Sequence, residues 1–129
     1  MKIRHDLFGV YKGREYRIAL SQENGLDLIS LDAADLKNGF TKYSEEVYTL
    51  PVKKEDLETY YDVNTYALYK GHEFVVESVS GNRVLLITRC TKQLAETLGL
   101  ECADRGFYEK WVKEEELEKV WEKKSSVKL

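Results

Sequence analysis

The side chains best suited to acid–base or nucleophilic chemistry are few in this chain. His5 and His72 are the two histidines, and Cys90 and Cys102 are the two cysteines. A catalytic thiol needs an imidazole held beside it, and the local pattern predicts that His72 lies in a solvent-exposed turn. We therefore expect no catalytic residue and a non-enzymatic protein.

The cysteines and carboxylates also form no metal-binding or cofactor-binding pattern. The spacing of Cys90 and Cys102 matches neither a zinc ribbon nor a redox pair, and the sequence has no phosphate-cradling glycine loop. The expected set of metals and cofactors is therefore none. We favour two reduced thiols, with Cys90 at the end of a buried strand, and a disulfide is the alternative.

A long internal repeat organises the sequence that carries these groups. The segment YKGREYRIAL begins at Tyr11, and YKGHEFVVES begins 58 residues later at Tyr69. The match continues collinearly, and after one two-residue insertion before Gly99 the segment YTLPVKKEDLE aligns with YEKWVKEEELE. Collinear similarity of this length indicates internal duplication. We predict two domains, residues 1–64 and 65–129, that pack together because each is small.

Each repeat has the pattern of several short strands and one helical turn. Alternating apolar residues predict half-buried strands, and Glu23-Asn24-Gly25 predicts a tight hairpin turn in the first repeat. Asp32 and Thr91 can cap a short helical turn, which Gly39 or Gly99 can end. For residues 113–124, a single helix and a turn followed by a strand both fit the pattern. The final SSVKL carries no packing signal.

This order of elements resembles the Src-homology-3-like barrel. Tyr66-Ala67-Leu68-Tyr69 looks like the start of such a domain, and GFYEKWVKEEELEKV resembles its closing segment. The resemblance implies a mainly β chain made of two tandem small SH3-like β-barrels with short helical turns. The third strands lack the tryptophan with which signalling members grip proline-rich peptides, so we do not expect that activity.

Charge and hydropathy limit the classes of partner. The net charge is −3, and residues 1–64 carry 9 basic and 12 acidic side chains, so a nucleic-acid partner lacks its usual basic patch. No apolar run is long enough to cross a bilayer. We expect a cytoplasmic protein with no membrane association.

The repeat also selects candidate binding residues, because aromatic side chains found in only one copy do not serve the shared core. Tyr43 aligns with Ala103, and Trp111 replaces Pro51. Aromatic residues are frequent at interface hot spots. Glu45 and Glu46 follow Tyr43 closely, and Glu55 and Asp56 form a second acidic stretch further along the chain. Packing between the repeats is the alternative role of Tyr43 and Trp111. The predicted partner-binding residues are Tyr43, Glu45, Glu46, Glu55, Asp56 and Trp111.

These features predict a binding protein whose partner is another protein, and a basic protein is the narrower expectation. Small acidic proteins of this type resemble immunity proteins, whose acidic loops meet the cationic site of a toxin. A nucleic-acid or ribosome-associated module is the alternative function, since small barrels bind RNA through stacked aromatic rings.

Overall fold

The computed structural model describes residues 1–21 and 25–129. The chain is mainly β, as predicted, and it divides into two compact units. The N-terminal unit comprises Asp6–Val63 with Lys124–Leu129, and the C-terminal unit comprises Met1–His5 with Asn64–Lys123. The division falls one residue before the predicted boundary, and each unit includes one end of the chain.

The N-terminal unit is built from an antiparallel path of strands. The elements are β1 (His5–Tyr11), β2 (Arg14–Leu20), β3 (Leu26–Ser30), a 3-10 helix (Ala33–Asn38), β4 (Thr41–Ser44), β5 (Val47–Val52), a 3-10 helix (Lys54–Asp56) and β6 (Thr59–Tyr69). The strands pair in the order β1–β2–β3–β5–β4. A 3-10 helix precedes β4 and another follows β5, after which β6 carries the chain into the C-terminal unit.

The C-terminal unit repeats this succession of elements. The elements after β6 are β7 (His72–Ser80), β8 (Arg83–Arg89), α1 (Lys92–Leu98), β9 (Glu101–Asp104), β10 (Phe107–Lys113), a 3-10 helix (Glu114–Glu116) and β11 (Lys119–Ser125). The strands pair in the order β6–β7–β8–β10–β9, and β11 pairs with β6. The duplication stays an inference from the sequence, and this shared succession agrees with it.

Alternating burial along the strands gives each unit its own core. In β3 the side chains of Leu26, Leu28 and Ser30 face inward, and in β8 those of Val84 and Leu86 do so. The N-terminal core contains Tyr16, Ile18, Leu26, Leu28, Phe40, Tyr48 and Leu57. The C-terminal core contains Ala67, Tyr69, Phe74, Val76, Val84, Leu86, Leu98 and Val112.

Both predicted helical turns form with the predicted caps. The Asp32 carboxylate accepts the backbone N–H of Ala34 at 2.9 Å, and the Thr91 hydroxyl accepts that of Leu94 at 3.2 Å. Gly39 and Gly99 end the turns at φ 93° and 70°, in the left-handed region that glycine adopts without steric cost. The insertion in the second copy accompanies a change from a 3-10 helix to the α-helix α1.

The closed barrels implied by the Src-homology-3 resemblance are not present in the described part of the chain. Each path of paired strands is open, and it ends at β4 in one unit and at β9 in the other. All four residues of β4, and all four of β9, are exposed. Such strands have no buried face that would hold them against a first strand and close a barrel.

Two further sequence predictions concern the ends of the repeats. Residues 113–124 form a turn and a strand rather than one helix, because the 3-10 helix at Glu114–Glu116 leads into β11. Leu129 packs against the N-terminal core, although its segment has no packing pattern.

Cys90 and Cys102 are free thiols. Glu23 and Asn24 of the predicted hairpin turn lie outside the described residues.

Candidate functional site

Tyr43 is the most prominent of the predicted binding residues. It lies on the end strand β4, and 78% of its surface is exposed. The register of β4 against β5 shifts between Lys42 and Ser44, which makes Tyr43 the extra residue of a β-bulge. Bulges re-aim side chains and interrupt strand pairing. The bulge therefore interrupts the regular pairing of β4 with β5 at Tyr43, whose side chain is exposed.

The C-terminal unit has the same bulge without the aromatic ring. β9 pairs with β10 through Asp104 and Cys102, so the register skips Ala103, the residue aligned with Tyr43. The structure thus agrees with the sequence alignment at this point. The backbone feature belongs to both units, whereas the exposed tyrosine belongs to one.

Glu46 occupies a strained position next to this bulge. Its φ is 61°, and the aligned Gly106 has φ 78°. A left-handed conformation costs a residue with a side chain roughly 1–2 kcal/mol, and glycine avoids that cost. Within the described part of the chain, neither Glu45 nor Glu46 has a side-chain hydrogen bond or ion pair that would offset it. We call Tyr43, Glu45 and Glu46 the acidic hairpin tip.

The other predicted binding residues lie elsewhere. Glu55 and Asp56 are on the 3-10 helix that follows β5, whereas the acidic hairpin tip precedes this strand. A strand of six residues spans about 20 Å, so the two acidic groups lie near opposite ends of β5. The Asp56 carboxylate also accepts the backbone N–H of Lys53 at 2.9 Å. Trp111 is 46% exposed on β10 of the C-terminal unit.

A buried polar cluster in the N-terminal unit has no counterpart among the sequence predictions. Asp35 is only 3% exposed, and its carboxylate accepts hydrogen bonds from the Tyr16 hydroxyl at 3.0 Å and the Asn38 amide at 2.9 Å. The Ser30 hydroxyl donates to the other carboxylate oxygen. We call Tyr16, Ser30, Asp35 and Asn38 the Asp35 cluster. It joins β2, β3 and the first 3-10 helix.

The protonation states in the Asp35 cluster follow from these contacts. Burial opposes ionisation of Asp35, but the hydrogen bonds from Ser30, Asn38 and Tyr16, with the nearby Arg14 charge, outweigh it and lower its pKa. Burial, followed by the hydrogen bond to Asp35, raises the pKa of Tyr16. At neutral pH the carboxylate is charged and the phenol is protonated. A lowered pKa makes the Asp35 carboxylate a weaker base, and a raised pKa makes the Tyr16 phenol a weaker acid.

The C-terminal unit lacks the residues that would form an equivalent of the Asp35 cluster. At the constant offset of the repeat, Phe74 aligns with Tyr16 and Gln93 aligns with Asp35. The C-terminal unit therefore has neither the phenol hydroxyl of Tyr16 nor the carboxylate of Asp35 at the aligned positions. This paired difference was visible in the sequence, but only the structure shows that the two side chains touch.

Beside the Asp35 cluster lies a depression of about 300 Å³ with a positive lining. Its cationic residues are Lys12, Arg14 and Lys37, which we call the cationic cup, and its other lining residues are Tyr11, Tyr16, Asn38 and Phe40. Arg14 Nη1 lies 3.8 Å from Asp35 Oδ1, while 66% of the Arg14 side chain is exposed. The cup gives a protein of net charge −3 a local cationic site.

The histidines lie in different environments. His5 Nδ1 is 2.9 Å from Asn64 Oδ1, and its Nε2 contacts the carbonyl oxygen of Val76. His72 begins β7 and is exposed. Among residues 1–21 and 25–129, no group of three or more His, Cys, Asp or Glu side chains is arranged to hold a metal ion.

Comparison with known proteins gives a family for the whole chain. The family described as "Uncharacterised conserved protein UCP033725" matches residues 3–128. The chain belongs to this family. No curated protein and no solved structure gives a significant match. In the part of the chain that the structure describes, no helix combines the length and apolar character needed to span a membrane.

Proposed function

We propose that this member of the family is a non-enzymatic binding protein that recognises another protein through its acidic hairpin tip. The observation that carries the proposal is the bulged, 78% exposed Tyr43 next to Glu46, which is held at positive φ. Strained residues are retained where the surrounding structure or a function requires them. A glycine at position 46 would relieve the strain, as at the aligned position of the C-terminal unit.

The chemistry of the acidic hairpin tip defines the partner. A tyrosine ring buries a large area at low entropic cost and keeps a polar end available for hydrogen bonding. Two carboxylates beside it attract a cationic surface and oppose an anionic one. The partner is therefore a protein with an apolar pocket bordered by Lys or Arg side chains.

A narrower form of the proposal is an immunity or inhibitor protein that covers the basic active surface of a toxin domain. The acidic hairpin tip supplies the charge complementarity such a role requires. We place the protein in the cytoplasm, where free thiols such as the exposed Cys102 stay reduced. Residues Glu55, Asp56 and Trp111 remain candidates for secondary contacts.

Affinity capture from native lysate with matched variants tests the proposal. Tyr43→Ala gives position 43 the residue that the aligned bulge already carries at Ala103, so the fold should tolerate it. We expect Tyr43→Ala to reduce recovery of the bound protein by about tenfold or more, because hot-spot truncation costs about 2 kcal/mol. Phe107→Ala removes an exposed ring from the C-terminal unit and is the control. Equal recovery of the same protein by the intact chain and Tyr43→Ala would contradict the proposal.

The strain at Glu46 gives a second test with two readouts. We expect Glu46→Gly to raise the free energy of unfolding by about 0.5 kcal/mol in urea denaturation, since relief of the left-handed strain exceeds the entropic cost of glycine. The same change should weaken partner capture. The reciprocal Gly106→Glu should destabilise the protein and leave capture unchanged. A stabilised Glu46→Gly variant with full capture would remove the functional reason for the strain.

Nucleic-acid binding is the second candidate function, because two aromatic rings and a lysine lie together in the C-terminal unit. The rings of Tyr66 and Trp121 stack at 6.1 Å, and Lys123 Nζ lies 4.3 Å from the centroid of Tyr66. Stacked rings with lysines are typical of single-strand binding. Here the two rings stack on each other, and Lys123 also pairs with Glu73 at 2.6 Å. These contacts compete with a base, so the protein-partner proposal is preferred.

A further inference from the structure

The cationic cup is a concave site whose position differs from that of the acidic hairpin tip and whose charge is opposite. Its volume of about 300 Å³ is at the lower limit for small-ligand pockets. Lys12, Arg14 and Lys37 line it from the β1–β2 turn, the start of β2 and the first 3-10 helix. The Asp35 carboxylate offsets only one of these three positive charges, so the remaining charge attracts an anion.

The Asp35 cluster lies next to one cation of the cup, Arg14. Arg14 faces the buried carboxylate at 3.8 Å, and that carboxylate is itself fixed by the hydroxyl of Tyr16 and the amide of Asn38. One edge of the guanidinium is thereby directed towards Asp35. The side chain remains 66% exposed, which leaves its other N–H groups available to a ligand. Asp35 acts here as a positioning residue.

The charges of the site match one class of anion. The cup contributes three positive charges, and Asp35 contributes one negative charge. The resulting charge of about +2 fits a phosphate monoester, which carries about −1.5 to −2 at neutral pH, better than a single carboxylate. The half-buried ring of Tyr11 also lines the depression and can pack against the organic part. We propose that the cationic cup binds a phosphate monoester.

The aligned part of the C-terminal unit, which the structure describes throughout, has different contacts and no equivalent of the cationic cup. There Lys110 Nζ donates to the Tyr69 hydroxyl at 3.2 Å and to the Leu98 carbonyl at 3.2 Å. Tyr69, which aligns with Tyr11, is buried, and Ala95 stands at the position of Lys37. The C-terminal unit therefore supplies internal controls. The inference is independent of the protein-partner proposal, because it uses none of the residues of the acidic hairpin tip.

The test is an NMR titration of the intact chain with inorganic phosphate, with phosphoserine, with a phosphoserine peptide and with acetate. We expect saturable shifts of the Gly13, Arg14 and Asn38 amides with the phosphates and much weaker shifts with acetate. Arg14→Ala should weaken phosphate binding by about tenfold, since it removes charge-assisted hydrogen bonds to the anion. Lys70→Ala, the aligned lysine variant, should change the affinity less than twofold. An unchanged urea midpoint shows that both variants are folded.

The phosphate probes also distinguish the source of the ligand. Tighter binding of phosphoserine than of its peptide supports a small phosphorylated molecule, and the reverse order supports a phosphorylated protein segment. Shifts that do not saturate, that are equal around Lys12 and Lys70, or that survive in Arg14→Ala would overturn the inference. Equal shifts with acetate and phosphate would also overturn it, because they would indicate general screening of charge.

Discussion

Replacing Asp35 with alanine should lower the free energy of unfolding by about 3 kcal/mol. The substitution removes the acceptor for the hydroxyls of Tyr16 and Ser30 and the amide of Asn38. Loss of the partner of a buried polar group costs about 1–3 kcal/mol, and here three donors lose the same partner. Urea denaturation measures the change. Gln93→Ala, at the aligned and exposed position of the C-terminal unit, should cost less than about 0.5 kcal/mol.

The same carboxylate predicts how stability depends on pH. The pKa of Asp35 in the folded protein lies below its ordinary value of 3.8. The unfolded chain therefore binds the proton more readily, and the stabilisation is fully present above pH 3.8. It is lost as the pH falls through the lower folded pKa. Asp35→Asn should show a shallower loss of stability in this acid range than the intact chain, and identical acid profiles would contradict the assignment.

Phe74→Ala should be the most damaging single core substitution that we consider, with a cost of about 3–5 kcal/mol. The side chain is 2% exposed, and its ring packs edge-on against Tyr69 at a centroid distance of 5.9 Å. Truncation removes apolar contact and leaves a cavity that the strands β6 to β8 cannot fill.

Phe107→Ala is the matched control for this core prediction. Phe107 is 39% exposed at the start of β10. Its truncation removes little buried area and should cost about 1 kcal/mol or less. Urea midpoints of the two variants, measured in parallel, give the comparison. Similar losses for Phe74→Ala and Phe107→Ala would show that the C-terminal core is not organised around Phe74.

The sequence predicts much of the fold because the relevant signals are local. Alternating apolar residues define strands such as β2 and β8, and the cap residues Asp32 and Thr91 define the helical turns. These features depend on neighbours within a few positions. The open strand paths were not predictable in this way, because closure depends on whether distant strands meet. All residues of β4 and β9 are exposed, so these strands have no alternation of buried and exposed residues that would show which strands pair with them.

The candidate sites were only partly visible for a related reason. The difference between Tyr43 and Ala103 in the repeat identified the residue that proves to be the exposed side chain of a bulge. The strain at Glu46 is visible only in the backbone φ angle of the folded chain. The Asp35 cluster brings together residues up to 22 positions apart, from Tyr16 to Asn38. An acidic residue next to an apolar turn looks like an ordinary solvated carboxylate until its partners are known.

The repeat also explains how two different sites can exist on a small chain. Features shared by both units, such as the Gly13 and Gly71 N–H groups that donate to Glu58 and Glu118 at 2.8 Å, maintain the fold. Features found in the N-terminal unit alone include the acidic hairpin tip and the cationic cup. We infer that binding activity belongs to the residues in which the units differ.

The most direct test of this account is photo-crosslinking from position 43 in native cells. A photoreactive phenylalanine at position 43 reports which molecule the bulged residue contacts, and the same residue at position 103 reports on the aligned bulge. We expect one protein product from position 43 and none from position 103. The product should be lost when Glu45 and Glu46 are changed to glutamine. RNA products from position 43, or the same products from both positions, would contradict the central claim.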